Sequence, residues 1–353
     1  MKILSVVGAR PQFVKAFPVS ETLRREHEEV LVHTGQHYDA ELSDVFFEEL
    51  GIPEPDYNLG VGSGGHAAQT AEMLVRLDEV VEAEAPDLVL VYGDTNSTLA
   101  AALVAAKRDP ALAHVEAGLR SGNWSMPEEV NRVLTDHCSD FLFAPAESAA
   151  ETLRKEGITS GVHVTGDVGF DAILRVRDRA VEGSTVLDRL ELDAGEYVLA
   201  TVHRAGNTDD PARLAAVVDG LARSPLPVVL PLHPRTEAAL KNHGLWERAS
   251  ESLRLVEPVG YLDFVRLLDG AERVATDSGG VQKEALYLDR RCVTLREETE
   301  WVETVEAGWN VLVGADADAI ARALRDDEPL PPKPSLYGDG HAAERIAEIL
   351  RGE

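Results

Sequence analysis

The chain has 353 residues, 44% of them hydrophobic, which is more than one ordinary core accommodates and suits two domains. Its 62 acidic against 34 basic residues leave a net charge of −28, which argues against nucleic acid or an anionic membrane as a partner. No apolar run is long enough to span a bilayer, and the run opening "MKILSVVGARPQF" is too short for a signal peptide, so a cytoplasmic protein is expected.

In chain order, "KILSVVGA", "EVLVHTG", "DLVLVYGD", "AHVEAG", "DFLFAP" and "VHVTGD" predict strands in the first half. "EYVLATVH", "PVVLPLHP", "LRLVEPVG", "RVATDS", "CVTL" and "NVLVG" predict strands in the second. Amphipathic helical stretches such as "DPARLAAVVDGLARS" separate them, a pattern of βαβ units and parallel sheets. Two sets of about six strands predict an α/β protein of two doubly wound, Rossmann-type domains. The charged stretch 177–195 is the best boundary, dividing residues 1–176 from 177–339. A proline-rich crossing, "EPLPPKPSLYGDG", then leads to a last helix within 340–353. Cys138 and Cys292 lie far apart without a C-x-x-C motif and read as small buried hydrophobes.

Unusual polar residues gather where the strands end: Arg10, Lys15, Gln36, His37, Asp94, Glu116, His203, His233, Asp277, Ser278 and Arg296. Open parallel sheets bind ligands outside the carboxyl ends of their strands, which places the expected site between two facing domains. The first βα turn, "VVGARPQFVK", lacks G-x-G-x-x-G, and no G-x-x-x-x-G-K-[ST] occurs. Nicotinamide hydride transfer and P-loop chemistry lose their main support. Arg10 and Lys15 bracket a proline that starts a helix, as anion binders or as solvated surface bases.

Asp94, Glu116 and Glu128 read as an acid/base set or as helix caps and local ion pairs. Asp94 and Glu116 each close an apolar strand, where carboxylates sharing a cleft raise one another's pKa. Glu128 and Glu129 follow Pro127, a position suited to complementing a helix dipole. His203 and His233, beside Arg204 and Arg235, are either structural or donors around a diphosphate. In "ATDSGGVQKEAL", Ser278 is placed to cap a helix, and Gly279 and Gly280 leave that helix's first N–H groups open to an anion. No H-E-x-x-H or D-x-D metal motif is present.

From about residue 2 to 350 the chain resembles the non-hydrolysing UDP-N-acetylglucosamine 2-epimerase family, through "GARPQFVKA", "TGQHYD", "GDTNSTLAA", "HVEAGLR", "PEEVNR", "LPLHPRT", "TDSGGVQKEA" and "REETEWVE". The resemblance implies a GT-B-like pair of Rossmann domains, a C-terminal helix crossing back to the first, a homodimer, and no organic cofactor or essential metal. It implies a UDP-sugar substrate inverted at C2 by anti elimination of UDP and re-addition to a 2-acetamidoglucal. It assigns acid/base work to Asp94, Glu116 and Glu128, and counts His203 among the catalytic residues, near the diphosphate. Arg10, Lys15, His233, Ser278, Gly279 and Gly280 become UDP contacts, with Glu284 on the ribose. Gln36, His37, Arg132 and Arg296 become sugar-binding or supporting residues.

Two features depart from the family pattern. Gly206 stands where many members carry Glu. "GARPQF", "TGQHYD" and "TEWVE" resemble a subgroup that includes UDP-2,3-diacetamido-2,3-dideoxyglucuronate 2-epimerases. Rival readings are a GT-B glycosyltransferase, a hydrolysing epimerase and a non-catalytic UDP-sugar sensor. Three retained carboxylates favour epimerisation, because transfer alone needs no acid and base on both faces of C2.

Only seven of the basic residues are Lys, and dispersed acid with little lysine fits a protein kept soluble in high salt. The melting temperature is expected to rise between dilute buffer and molar potassium chloride, where the screening length falls to about 3 Å. A melting temperature that stays flat or falls contradicts this solvent adaptation.

Overall fold

The computed structural model describes residues 1–36 and 53–352. The chain divides into two compact units, one of Met1–Ala172 with Tyr337–Glu353, the other Ile173–Leu336. The first division falls inside the helix Val168–Gly183, not in the charged stretch 177–195. A helix that runs through a boundary carries no break in its periodicity, so the sequence holds no local mark of it.

Among the described residues the first unit builds a parallel sheet from β1 (Lys2–Val7), β2 (Glu28–His33), β3 (Tyr57–Asn58), β4 (Leu88–Tyr92), β5 (Ala111–Val115), β6 (Phe141–Ala144) and β7 (Val162–Val164). Their order is β3-β2-β1-β4-β5-β6-β7. The second unit builds its sheet from β8 (Val198–Thr201), β9 (Val228–Pro231), β10 (Arg254–Val256), β11 (Arg273–Thr276), β12 (Arg291–Thr294) and β13 (Asn310–Leu312). Their order is β10-β9-β8-β11-β12-β13. Every expected strand is present. The addition is β3, two residues long and too short to leave an alternating pattern.

Apolar runs make these strands because helices cover both faces of the sheet: β4 is buried from end to end, and β1 at all but its first residue. Val6, Val32, Val89, Val91, Met73 and Leu77 close the first core. Val198, Leu230, Val293, Val217 and Ile320 close the second. The helix Asn96–Ala105, capped by Thr95, is buried along most of its length and packs close because its residues are small. Gly8 permits that approach, since a Cβ there would lie 2.0 Å from Ser97 Oγ and 2.2 Å from Thr34 Oγ1.

The last helix, Ala342–Arg351, belongs to the first unit. Its opening N–H groups, those of Ala342 and Ala343, donate to the Asp171 carboxylate at 3.0 and 2.9 Å. Such a cap satisfies donors that no residue within the helix can reach. Near its other end Arg351 pairs with Glu26.

Gly8→Ala is expected to destabilise the first unit by about 1–3 kcal/mol, the usual scale of an overpacked core. A lower urea midpoint checks it; an unchanged midpoint would mean that the helix Asn96–Ala105 can retreat without loss.

Candidate active site

In each sheet the winding direction reverses beside the strand that comes first in the chain, at β1/β4 in the first unit and β8/β11 in the second. At such a switch point flanking helices leave opposite faces, opening a crevice at the strand ends. Arg10 and Lys15 follow β1, Asp94 follows β4, His203 follows β8, and Asp277 and Ser278 follow β11.

In the first unit, Pro11 lies in the first turn of the helix Arg10–Leu23, as its fixed φ favours. Gln12 shapes the turn before it. Its Oε1 accepts from Gly8 N and Ala9 N at 2.8 and 3.1 Å, while Nε2 donates to Tyr92 O at 2.8 Å and Thr98 Oγ1 at 3.0 Å. Arg10 is described by its backbone alone, at the helix start, and His37 lies outside the described residues. Gln36 is buried and braces the helix start, accepting from Ser97 N at 3.0 Å and Ser97 Oγ at 2.7 Å.

Lys15 turns from the helix onto Glu116 and forms an ion pair with it, the two side chains only 21% and 10% exposed. Burial pulls the ammonium's pKa down, but Glu116, Asp94 and Asp167 outweigh it and hold Lys15 above its ordinary value. Glu116 has φ +73°, a left-handed conformation uncommon outside glycine. The backbone fixes it there: the N–H groups of Glu116 and Ala117 both donate to Phe143 O at 3.1 Å. Asp94 binds Arg132, and Asn131 Nδ2 donates to the Asp94 carbonyl at 2.9 Å. Each strand-end carboxylate therefore has its own cation, where the sequence suggested bare carboxylates acting on one another.

The helix Pro127–Cys138 begins with two acids that do different things. Glu129 is buried and accepts from Ser121 N, Ser121 Oγ and Gly122 N at 2.8, 2.9 and 2.8 Å. Burial raises its pKa, but these donors and Arg132 bring it below the ordinary value. Glu128 is half-buried and makes no hydrogen bond or ion pair among the described residues. Loop capping falls to Glu129, which leaves the Glu128 carboxylate available to a ligand.

In the second unit Ser278 is the N-cap of the helix Gly279–Tyr287, its Oγ accepting from Val281 N at 3.5 Å. The N–H groups of Gly279 and Gly280 open the first turn, where no helical acceptor exists. At Gly280 a Cβ would meet only Ser278 Oγ, at 3.9 Å, so protein packing does not explain the missing side chain. Asp277 is fully buried and accepts from His203 N at 3.0 Å, Arg204 N at 3.0 Å and Asn207 Nδ2 at 3.1 Å. It holds the loop that carries His203 beside the helix start.

The His203 ring lies 5.4 Å from that of His233. His233 caps the helix Pro234–Asn242, its Nδ1 accepting from Arg235 N at 3.1 Å. Burial, then His203 and Arg235, push the His233 pKa down, so Nε2 carries its single proton. Arg235 turns away from the expected anion site to pair with Asp209 at 3.0 Å. Arg296 grips Glu300 through two hydrogen bonds of 2.9 and 2.8 Å. Those bonds oppose burial and hold the Glu300 pKa down at about 2. Glu284 accepts from Tyr261 Oη at 3.1 Å.

Gln12, Asn131 and Tyr261 are site-shaping residues that sequence reasoning missed. Gln12 had only half a signal, because it sits three residues after the N-cap as in a capping box, but that N-cap is Ala9, which has no side-chain acceptor. Asn131 and Tyr261 act on residues distant in sequence and had none.

A family model described as UDP-N-acetylglucosamine 2-epimerase matches residues 21–351. A Methanococcus maripaludis protein named UDP-N-acetylglucosamine 2-epimerase homolog is 48% identical over 356 residues, covering 99% of each chain. The UDP-2,3-diacetamido-2,3-dideoxy-D-glucuronate 2-epimerase of Pseudomonas aeruginosa is 47% identical over 360 residues, again 99% of each. The Methanocaldococcus jannaschii UDP-GlcNAc 2-epimerase, in complex with UDP-GlcNAc and UDP, superposes with a TM-score of 0.84 at 41% identity and full coverage of both chains.

The Lys15–Glu116 pair makes a pH prediction. Because the folded pKa of Lys15 lies above its unfolded value of 10.5, the pair's contribution is complete below that pH. It is lost as pH rises through the folded value. An NMR titration of ¹³Cε-labelled lysine is expected to show, among the resonances titrating above pH 10.5, one that vanishes in Lys15→Met. A Lys15 midpoint at or below 10.5 contradicts it.

Proposed function

Because the chain belongs to the UDP-N-acetylglucosamine 2-epimerase family, we propose that it interconverts UDP-GlcNAc and UDP-ManNAc without hydrolysis. A carboxylate takes the C2 proton, the C1–O bond breaks with its electron pair leaving on UDP, and a C1=C2 double bond forms. Reprotonation at C2 from the other face and attack of the UDP oxygen on C1 give the epimer. The observation that carries this reading is the arrangement of Asp94, Glu116 and Glu128 in one unit, two held by cations and one whose carboxylate has no partner among the described residues. Proton removal at a weakly acidic carbon needs a positioned base, and the return needs an acid on the opposite face.

In this reading UDP is held by Arg10, Lys15, His203, His233 and the helix start at Ser278, Gly279 and Gly280, with Glu284 on the ribose. The open N–H groups and the unfilled space at Gly280 support it. Lys15 is close enough to Glu116 to serve both the carboxylate and the departing diphosphate. Gln36, Arg132 and Arg296 act as supports, each already bonded within the protein. A homodimer, a cytoplasmic location, adaptation to high salt and a role in supplying sugars for polysaccharide synthesis belong to the same proposal. A second substrate, UDP-2,3-diacetamido-2,3-dideoxyglucuronate, is favoured by the Pseudomonas aeruginosa relative.

The test incubates the protein with each UDP-sugar in molar salt and D2O, following C2 by proton NMR. Inversion at C2 of one substrate with deuterium in the product is expected. Inversion with full retention of the C2 proton would exclude exchangeable carboxylates. Asp94→Asn, Glu116→Gln and Glu128→Gln should each lower turnover by about 10²–10⁴-fold. Near-normal turnover in Glu128→Gln would remove that residue from the mechanism.

A further inference from the structure

The strongest feature outside the residues assigned so far is a fully buried pair, His114 and Asp136, behind the ends of β4 and β5. His114 lies in β5, two residues before Glu116. Its Nδ1 is 2.7 Å from Asp136 Oδ1, and its Nε2 is 2.7 Å from the carbonyl oxygen of Gly93. A carbonyl oxygen only accepts, so Nε2 must carry a proton. Asp136 is also an acceptor, because its Oδ2 takes hydrogen bonds from Gly118 N at 3.1 Å and Arg120 Nη1 at 2.7 Å. Burial raises the Asp136 pKa, but His114 and Arg120 outweigh it and hold it below the ordinary value. With acceptors on both sides, the geometry calls for a donor at each ring nitrogen, which an imidazolium supplies. Asp136 balances its charge, and Arg120, paired at its outer end with Glu156, completes the cluster.

This bridge reaches two backbone positions that set the reacting carboxylates. Gly93 immediately precedes Asp94, has φ +61°, and donates its N–H to Val115 O at 3.0 Å. With the His114 bond to its carbonyl, both polar groups of that residue are tied to β5. A Cβ on Gly93 would lie 3.4 Å from Glu116 Oε2 and 3.4 Å from Lys15 Nζ, so its backbone abuts that ion pair. On the other side, Asp136 holds the N–H of Gly118, two residues beyond the left-handed Glu116. Charge-assisted bonds in a dry interior are strong and directional. A buried ion pair, however, seldom stabilises a fold more than apolar packing does.

We propose that His114, protonated on both ring nitrogens and paired with Asp136, is a positioning residue that fixes the Asp94 and Glu116 turns relative to each other. The inference rests on the epimerase reading for its catalytic meaning and on hydrogen-bond geometry for its structural one. His114 touches no reacting atom. Its effect is exerted through the Gly93 carbonyl and, by way of Asp136, the Gly118 amide. Loss of the bridge lets two turns shift by a fraction of an ångström, and misplacement of reacting groups by about 1 Å costs on the order of a hundredfold in rate.

The experiment has two arms on the intact protein. In the first, the wild type is labelled with ¹⁵N-histidine and examined at pH 8.5, where a free imidazole is neutral. The His114 resonance, assigned by its loss in His114→Gln, should show two protonated ring nitrogens; a single-proton tautomer overturns the bridge. This arm does not depend on activity, and it stands even where the variant folds poorly, since assignment can then use Asp136→Asn. In the second, His114→Gln and Asp136→Asn are assayed for C2 inversion and for UDP binding by calorimetry. About a hundredfold lower kcat, with KM and UDP affinity within about threefold, is expected. Unchanged kcat, or a fall in UDP affinity matching the fall in rate, overturns the positioning role. A wild type that inverts no UDP-sugar overturns the epimerase reading instead, and the first arm still decides the protonated bridge.

Discussion

The constraint from which the rest follows is the reversal of winding direction in each parallel sheet. A strand followed by a helix and a parallel strand must cross over right-handed, so helices before and after the reversal cover opposite faces. At β1/β4 and β8/β11 the strand ends are left uncovered by either set. Backbone groups there end their ladders, and the next helices begin with open N–H groups. Polar residues can occupy such positions without disturbing the apolar interior of the sheet. The turns after β1, β4 and β5 in one unit, and after β8, β9 and β11 in the other, hold the proposed site residues for this reason.

The two units supply different electrostatics. In the first, the Glu116 and Asp94 carboxylates are paired with Lys15 and Arg132, and the partners are mostly buried. In the second, the proposed anion-binding element is a helix start beside His203 and His233, with the His233 pKa pushed down by burial and its neighbours. Arg296 is neutralised by Glu300, and Arg235 by Asp209. Positive potential around the glycines of that helix thus owes much to backbone dipoles, and less to arginines than their position in the sequence suggests.

The strands could be read because each is a short apolar run bounded by turn residues, and burial on both faces demands such runs. Asp94, Glu116, Ser278 and the paired glycines could be read because they interrupt that pattern at its end. Partner choice was not legible. Nothing near Arg235 distinguishes a phosphate ligand from Asp209, which is 26 residues away and reaches it only in the folded unit. His114 and Asp136 look like ordinary strand and helix residues, and their proposed role depends on the carbonyl of Gly93, in the turn after β4. Glu128 and Glu129 are adjacent in sequence and equally acidic, yet the helix turns one into the Ser121–Gly122 loop and leaves the other's carboxylate without a partner among the described residues.

The capping of the helix Ala342–Arg351 by Asp171 bears on how the polypeptide matures. The second unit is one continuous stretch, Ile173–Leu336, whereas the first needs Tyr337–Glu353 to be complete. During translation at about 5–20 residues per second, the stretch between Ala172 and Tyr337 takes on the order of ten to thirty seconds to emerge. Throughout that interval the Asp171 carboxylate has no helix to cap, and the helix Arg10–Leu23 lacks the neighbour that packs against it. The half synthesised first is therefore the half finished last. A nascent chain stalled before residue 342 presents a whole second unit and a first unit with an uncovered apolar flank, a state suited to recognition by ribosome-associated chaperones.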